Sequence, residues 1–303
     1  MTRGRVGGKV VSAVAAAAAV RLLLWTPPRR VALRVADGVS RPLWFLWGRR
    51  RRAELVSQIR AALPDVDETR ARRIARASFA LLPRNLAEIG HPRSLGGGGG
   101  RDGAPEFVGV KSSPEAEALL AGQVILVSGH FASWEVACVA VNRRLGHPVV
   151  MPVHELPLAS LEREVLRNRL RCGRDVKFLT RAASGDARAG LLAALRERSS
   201  IALLADQRVR GGVAGKLLGR DVLLNDIPAR LAVMSGAPVV MFRARSVDLH
   251  RYEIDLGPVF RPEDFNGDTA ALTQKINDIF GQWISEAPEQ WLWNRRRWRP
   301  AEE

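Results

Sequence analysis

From about residue 105 onward, short apolar runs alternate with stretches of helical periodicity. The runs at 124–128, 148–153, 175–179, 200–205, 238–244 and 252–257 predict strands. The periodic stretches at 114–121, 134–145, 158–171, 186–198, 227–235 and 268–286 predict helices. Strands that alternate with helices argue for a mixed, mostly parallel sheet flanked by helices, an α/β fold. Residues 31–90 read as helical throughout: Trp44-Phe45-Leu46-Trp47 runs into Arg49–Arg52, followed by helical patterns at 53–63 and 68–88 around a Leu63-Pro64-Asp65 break. The pentaglycine Gly96–Gly100 reads as a flexible linker. This divides the chain into an N-terminal anchor or interfacial helix (1–30), a basic helical segment (31–95), a glycine-rich linker (96–104) and the α/β domain (105–303). No internal repeat is visible.

The N-terminus carries Arg3, Arg5 and Lys9, then an apolar run, Val10–Val20 and Leu22–Trp25, interrupted by Arg21. As a helix it would reach roughly 24 Å, short of the ~20 residues that span a bilayer. It fits a short anchor with Arg21 snorkelling, or a helix lying in the interface. A cleavable signal peptide is a lower-ranked reading of the same alanine-rich run.

Charge sharpens this picture. Of 47 basic and 31 acidic residues, positions 1–90 hold 18 basic and only 6 acidic, so most of the net +16 lies in the first third. With Trp25, Trp44 and Trp47 interleaved, that third reads as a surface for anionic lipid headgroups; an arginine-rich proteome is the alternative source of the charge. The chain has neither zinc-finger spacing nor an aromatic RNA-binding signature, which sets nucleic acid aside. Cys138 and Cys172 fit no metal pattern and no disulfide framework.

The chemistry concentrates in Ser128-Gly129-His130-Phe131-Ala132-Ser133-Trp134-Glu135, directly after the apolar run Val124–Val127. Within one helix, five residues span about 500° of rotation, so His130 and Glu135 would not share a face. The spacing suits a histidine on a strand-to-helix turn and a carboxylate in the first turns of the helix that follows. A carboxylate so placed can orient an imidazole to take a proton from a hydroxyl. A helix N-terminus also favours the neutral, basic ring. The motif resembles the His-x4-Asp/Glu signature of the lysophospholipid acyltransferase superfamily. More closely, it looks like the form found in the bacterial lipid A late acyltransferases, and it is similar to that of the phosphatidylinositol mannoside acyltransferases. The resemblance implies His130 as general base on an acceptor hydroxyl that attacks an acyl thioester, with Glu135 as its orienting partner.

Two further elements carry the resemblance. The run Ser199–Leu204 ends in Ala205-Asp206-Gln207 and leads into a glycine- and basic-rich loop, Arg208–Arg220, with Leu217-Leu218-Gly219 matching the family's turn. Asp206, at a strand end, is a candidate for binding or polarising the acceptor, or a loop cap. Gln207 falls in the same motif. Arg208, Arg210 and Lys216 suit phosphates of a carrier protein, coenzyme A or an acceptor lipid, or else belong to a solvated loop. The loop fails the Walker pattern, which excludes nucleotide binding there. The tail Pro288-Glu289-Gln290-Trp291-Leu292-Trp293, followed by Arg297-Trp298, is similar to the family's ending, with Arg297 as a headgroup contact or the tryptophans packed on the sheet.

The chain also departs from the pattern. Met151–Pro157 lacks the arginine and asparagine of the family's second-strand element, so Arg167, with Arg163 and Arg169, is expected to serve instead; His154 is a loose alternative base. Asn294 or Arg295 stands where relatives often have a histidine. The resemblance implies a membrane-associated acyltransferase at the cytoplasmic face of a bacterial inner membrane, with acyl carrier protein or acyl-CoA as donor and no cofactor or metal. It implies a glycolipid or lysolipid acceptor and anionic lipids as partners. Other acceptors, such as a phosphatidylinositol mannoside or an aminolipid, and a catalytically idle membrane-binding module are the alternatives.

Overall fold

The computed structural model describes residues 17–91, 106–153, 159–172, 176–179, 187–209, 211–294 and 297–298. The glycine-rich linker, positions 10–16 of the N-terminal apolar run, His154 and Arg210 lie outside these residues. Three helices come first: α1 (Arg29–Leu46), α2 (Arg49–Ala62) and α3 (Glu68–Ile89). Helix α2 begins within the tetra-arginine run, earlier than the apolar pattern suggests, because arginine is a good helix former even where nothing is buried. Asp67 caps α3 by accepting the Arg70 amide at 2.6 Å. A π-helical turn, Arg21–Trp25, precedes α1. No described helix is long and apolar enough to cross a membrane.

The α/β part follows as β1 (Glu106–Ser112), α4 (Pro114–Leu119), β2 (Ile125–Ser128), α5 (Trp134–Asn142), β3 (Val149–Pro152), α6 (Ala159–Cys172), β4 (Val176–Leu179), α7 (Ala187–Arg196) and β5 (Ser200–Leu204). It continues through β6 (Val213–Leu217), β7 (Arg220–Leu224), α8 (Ile227–Ser235), β8 (Val239–Ser246), β9 (Arg251–Phe260) and α9 (Thr269–Glu286). Seven strands form one sheet in the order β1-β9-β8-β2-β5-β3-β4. Every neighbouring pair is parallel except β8 with β9. The predicted mixed, mostly parallel α/β sheet is therefore the observed fold.

Strand β2 shows why continuous apolar runs become central strands. Ile125 and Val127 join the cluster on one face of the sheet, while Val124 and Leu126 join the cluster on the other. A strand covered on both faces has no polar alternation to display. The first of these clusters also takes in Trp44, Ile59, Ile74 and Phe79 from the three leading helices, so the basic helical segment shares a core with the sheet.

Two elements differ from the sequence pattern. Strand β1 pairs with β9 at the sheet edge, although Gly109 breaks its alternation. The segment read as a loop from Arg208 to Arg220 contains β6, which pairs antiparallel with β7. Leu218 (φ 53°) and Gly219 (φ 73°) form the two-residue turn between them. Positive φ at both positions matches the twist of a tight hairpin, but leucine is a poor signal for it.

Candidate active site

Strands β2 and β5 are parallel neighbours with Ser128 opposite Leu204. Each chain runs two residues past that pair, which brings His130 and Asp206 side by side at the C-terminal edge of the sheet. The Asp206 carboxylate accepts the His130 backbone amide at 3.1 Å and faces Nδ1 of the imidazole at 2.7 Å. Nδ1–H donating to Asp206 leaves Nε2 as the basic nitrogen. The Trp291 indole donates to the second carboxylate oxygen at 2.8 Å. Gly129 is required by this approach: a Cβ there would lie 2.7 Å from the Phe131 ring and 2.9 Å from the Asp206 Cβ.

Asp206 is only 2% exposed. Burial alone would raise its pKa, but the His130 charge, the two His130 hydrogen bonds and Arg297 outweigh that and hold it down to about 2. The imidazole is partly exposed, with the Trp134 ring edge-on at 5.0 Å. The Gln207 amide nitrogen sits 3.4 Å from both ring nitrogens.

Glu135 does not reach the imidazole. Its carboxylate is held by Arg169 of α6 through two hydrogen bonds of 3.0 and 2.5 Å. The expected orienting partner is thus displaced by Asp206, and the physical reason is directional. Glu135 lies in the first turn of α5 and points toward α6, whereas β5 delivers Asp206 directly beneath the ring. Arg169 is the arginine that joins this group; Arg167 is exposed on another face of α6. Arg208 is half-buried beside Gln207, and Lys216 is exposed on β6.

The turn carrying the histidine is strained and braced. Ala132 has φ 43°, a left-handed conformation unusual for alanine. Asn85 of α3 donates to the Ala132 carbonyl at 2.8 Å. The tail binds the other side: Ala132 N–H donates to the Gln290 carbonyl at 2.6 Å and Leu292 N–H to the His130 carbonyl at 3.0 Å. Gln290 is pinned to both backbone groups of Ser246 at the end of β8. These bonds consume the Ala132 amide, and the Phe131 amide donates to the Gly129 carbonyl at 2.8 Å, so neither is left over for a developing oxyanion.

The tail is interior, not a headgroup surface. Trp291, Trp293 and Arg297 are all buried. Ser78 of α3 donates to the Trp291 carbonyl at 2.7 Å and accepts the Trp293 amide at 2.9 Å. Arg297 donates to Asn277 at 3.3 Å, and burial, partly offset by Asp206, lowers its pKa to about 10. Sequence reasoning missed Asn85 and Ser78, which are unremarkable polar positions in a helix, as well as the role of Asp206 toward His130.

A narrow cavity of about 70 Å³ runs between α5 and the sheet from Trp134 and Leu204, next to this pair. Its walls are mostly apolar, including Val139, Met151, Phe178 and Phe242. Among the described residues there is no cluster of histidine, cysteine and carboxylate side chains suited to a metal.

The site thus sets a histidine, one ring nitrogen fixed by a buried carboxylate, beside a mostly apolar cavity at the carboxyl edge of the sheet. The chain belongs to the bacterial lipid A biosynthesis acyltransferase family, whose pattern it matches over residues 9–300. It is an acyltransferase of lipid biosynthesis. Among solved structures it is similar to the 1-acyl-sn-glycerophosphate (LPA) acyltransferase PlsC from Thermotoga maritima. The identity is 11% and the TM-score 0.41, over 87% of this chain and 99% of that one. No curated protein sequence matches it.

Proposed function

We propose that this protein is a membrane-associated O-acyltransferase that moves a fatty acyl chain from a thioester to a hydroxyl of a glycolipid or lysolipid. The observation that carries the reading is the His130–Asp206 contact, because it selects the tautomer in which Nε2 is a base. Nε2 takes the hydroxyl proton as the acceptor oxygen attacks the thioester carbonyl. The carbon–sulfur bond then breaks, and the leaving thiolate takes the proton back from the imidazolium. A thioester already has a good leaving group, so no acyl-enzyme is needed. Asp206 holds the ring and stabilises the imidazolium while remaining ionised itself. The N-terminus of α5 and the Arg169 guanidinium supply positive potential near the developing oxyanion. Glu135 is a positioning residue that holds Arg169.

The apolar cavity beside Trp134 is the seat for the acyl chain. The donor is acyl carrier protein or acyl-CoA, with Arg208 and Arg210 at the loop as contacts for its phosphates. The acceptor approaches from the cytoplasmic face of a bacterial inner membrane. Support for the membrane side comes from the end of α1, where Phe45 and Leu46 are 64% and 80% exposed and arginines 49–52 follow after Trp47 and Gly48.

The test is acyl transfer by membranes containing the protein, with radiolabelled acyl carrier protein and acyl-CoA supplied separately. Acceptors are pooled lysolipids and lipid A precursors. Product from wild type that is lost in His130→Ala is the expected result. Equal product from both proteins would remove His130 from the chemistry and overturn the reading.

A further inference from the structure

The cavity along α5 has a polar end that a hydrocarbon chain does not satisfy. Glu135, Cys138, Val139 and Asn142 recur at helical spacing along one side of α5, and all four line the cavity. Trp134, at the start of α5, lies against the His130 ring. Asn142, the last residue of the helix, lies eight positions on, about 12 Å further by helical rise. The cavity therefore reaches from beside the catalytic pair to a carboxamide further along the helix.

That carboxamide is unusual. Asn142 is 6% exposed. Both its Nδ2 and its Oδ1 are buried without a hydrogen-bond partner among the described residues. Orphaned buried polar atoms are rare in folded proteins, and here a donor and an acceptor are left open at one point. A methyl-terminated chain would offer neither partner and would also strip any water from the amide. A hydroxyl group offers one of each.

We propose that Asn142 makes the cavity selective for acyl chains that carry a hydroxyl near the distal end, over hydrocarbon chains of the same length. The proposal rests on the reading of the cavity as the seat of the acyl chain.

Binding measured without catalysis separates the two. Lauric acid and its ω-hydroxy derivative, with matched shorter and longer pairs, are titrated into wild type while tryptophan fluorescence is followed, since Trp134 lines the cavity. In the best-fitting pair the hydroxylated chain is expected to bind about tenfold more tightly. Asn142→Leu, close in size and without the amide, is expected to reverse the order. Asn142→Thr, which restores a hydroxyl, is expected to recover part of it.

The same preference in wild type and Asn142→Leu, or no preference at any length, would overturn the selectivity. Val139→Trp, which fills the cavity, distinguishes the other failure. If it leaves both chains binding as before, they sit elsewhere, and the acyl seat and its selectivity fall together. Transfer from acyl-CoA that is lost in His130→Ala upholds the acyltransferase reading whichever way the binding ratio falls.

Discussion

The pairing of one imidazole with one buried carboxylate decides most of what this site can do. Because Asp206 sets the tautomer of His130, Asp206→Asn is expected to lower kcat by at least about a hundredfold, with little change in KM. Glu135→Gln leaves the His130–Asp206 contact in place and is expected to cost less. Steady-state kinetics of the two variants side by side would show it, and equal losses would mean that Glu135 acts on the imidazole after all. The low pKa of Asp206 has a thermodynamic side. A carboxylate with a folded pKa near 2 and an ordinary unfolded value of 3.8 stabilises the native state fully above the unfolded value. That contribution is lost as pH falls from the unfolded value toward the folded one. Urea titrations from pH 5 to pH 2 should therefore show wild type losing its advantage over Asp206→Asn in this window. A constant gap would mean that the carboxylate is not held down.

Among the elements, helix α3 ties the leading helices to the active site. Its face carries Ser78 against the tail, Asn85 against the histidine turn and Glu88 against the sheet. Glu88 is fully buried and accepts Arg29 of α1 through two hydrogen bonds of 2.8 and 2.6 Å, and the Tyr252 hydroxyl of β9 at 2.7 Å. Burial would lower the Arg29 pKa, but the Glu88 hydrogen bonds and charge outweigh it and raise the pKa above the usual arginine value. Glu88→Ala leaves that cation buried without its partner and is expected to cost about 3–5 kcal/mol, read as a shift of the urea midpoint. A loss below about 1 kcal/mol would show that the pair is solvated in solution. The tail acts as a second brace. By pairing Gln290–Leu292 with the histidine turn, it ties the tail to the turn that carries His130.

At the scale of the whole molecule, the basic excess gathers in the first third of the chain. An open cleft of about 920 Å³ between α2 and α3 is lined by Arg49, Arg52, Arg60, Arg72, Arg73 and Arg76, with Glu68 the one acid among the described lining residues. The exposed tip Phe45-Leu46 lies just before it in the chain, and Arg52 stacks 5.4 Å from the Phe45 ring. An apolar tip beside a basic surface suits a bilayer with anionic headgroups. Replacing Phe45 and Leu46 together by aspartate is expected to weaken sedimentation with anionic vesicles severalfold without changing the melting temperature. Binding by wild type is expected to fall as salt rises. Unchanged binding by the variant would place the contact elsewhere.

Local patterning was enough to establish the alternation of strands and helices, the strand-to-helix turn under His130 and the family motif. Apolar runs covered on both sheet faces and amphipathic helices write their periods directly into the residues. Hairpin β6–β7 was hidden because its turn uses leucine and its short strands are interrupted by Gly215 and the charges of Lys216, Arg220 and Asp221, and β1 was hidden by Gly109. The carboxylate that meets His130 was settled only by tertiary structure. Glu135 is five residues away in the chain, yet its helix aims it at Arg169. Asp206 is 76 residues away, yet β5 lies beside β2 and delivers it to the ring. Strand order is decided by packing across the whole sheet, and no local pattern records it.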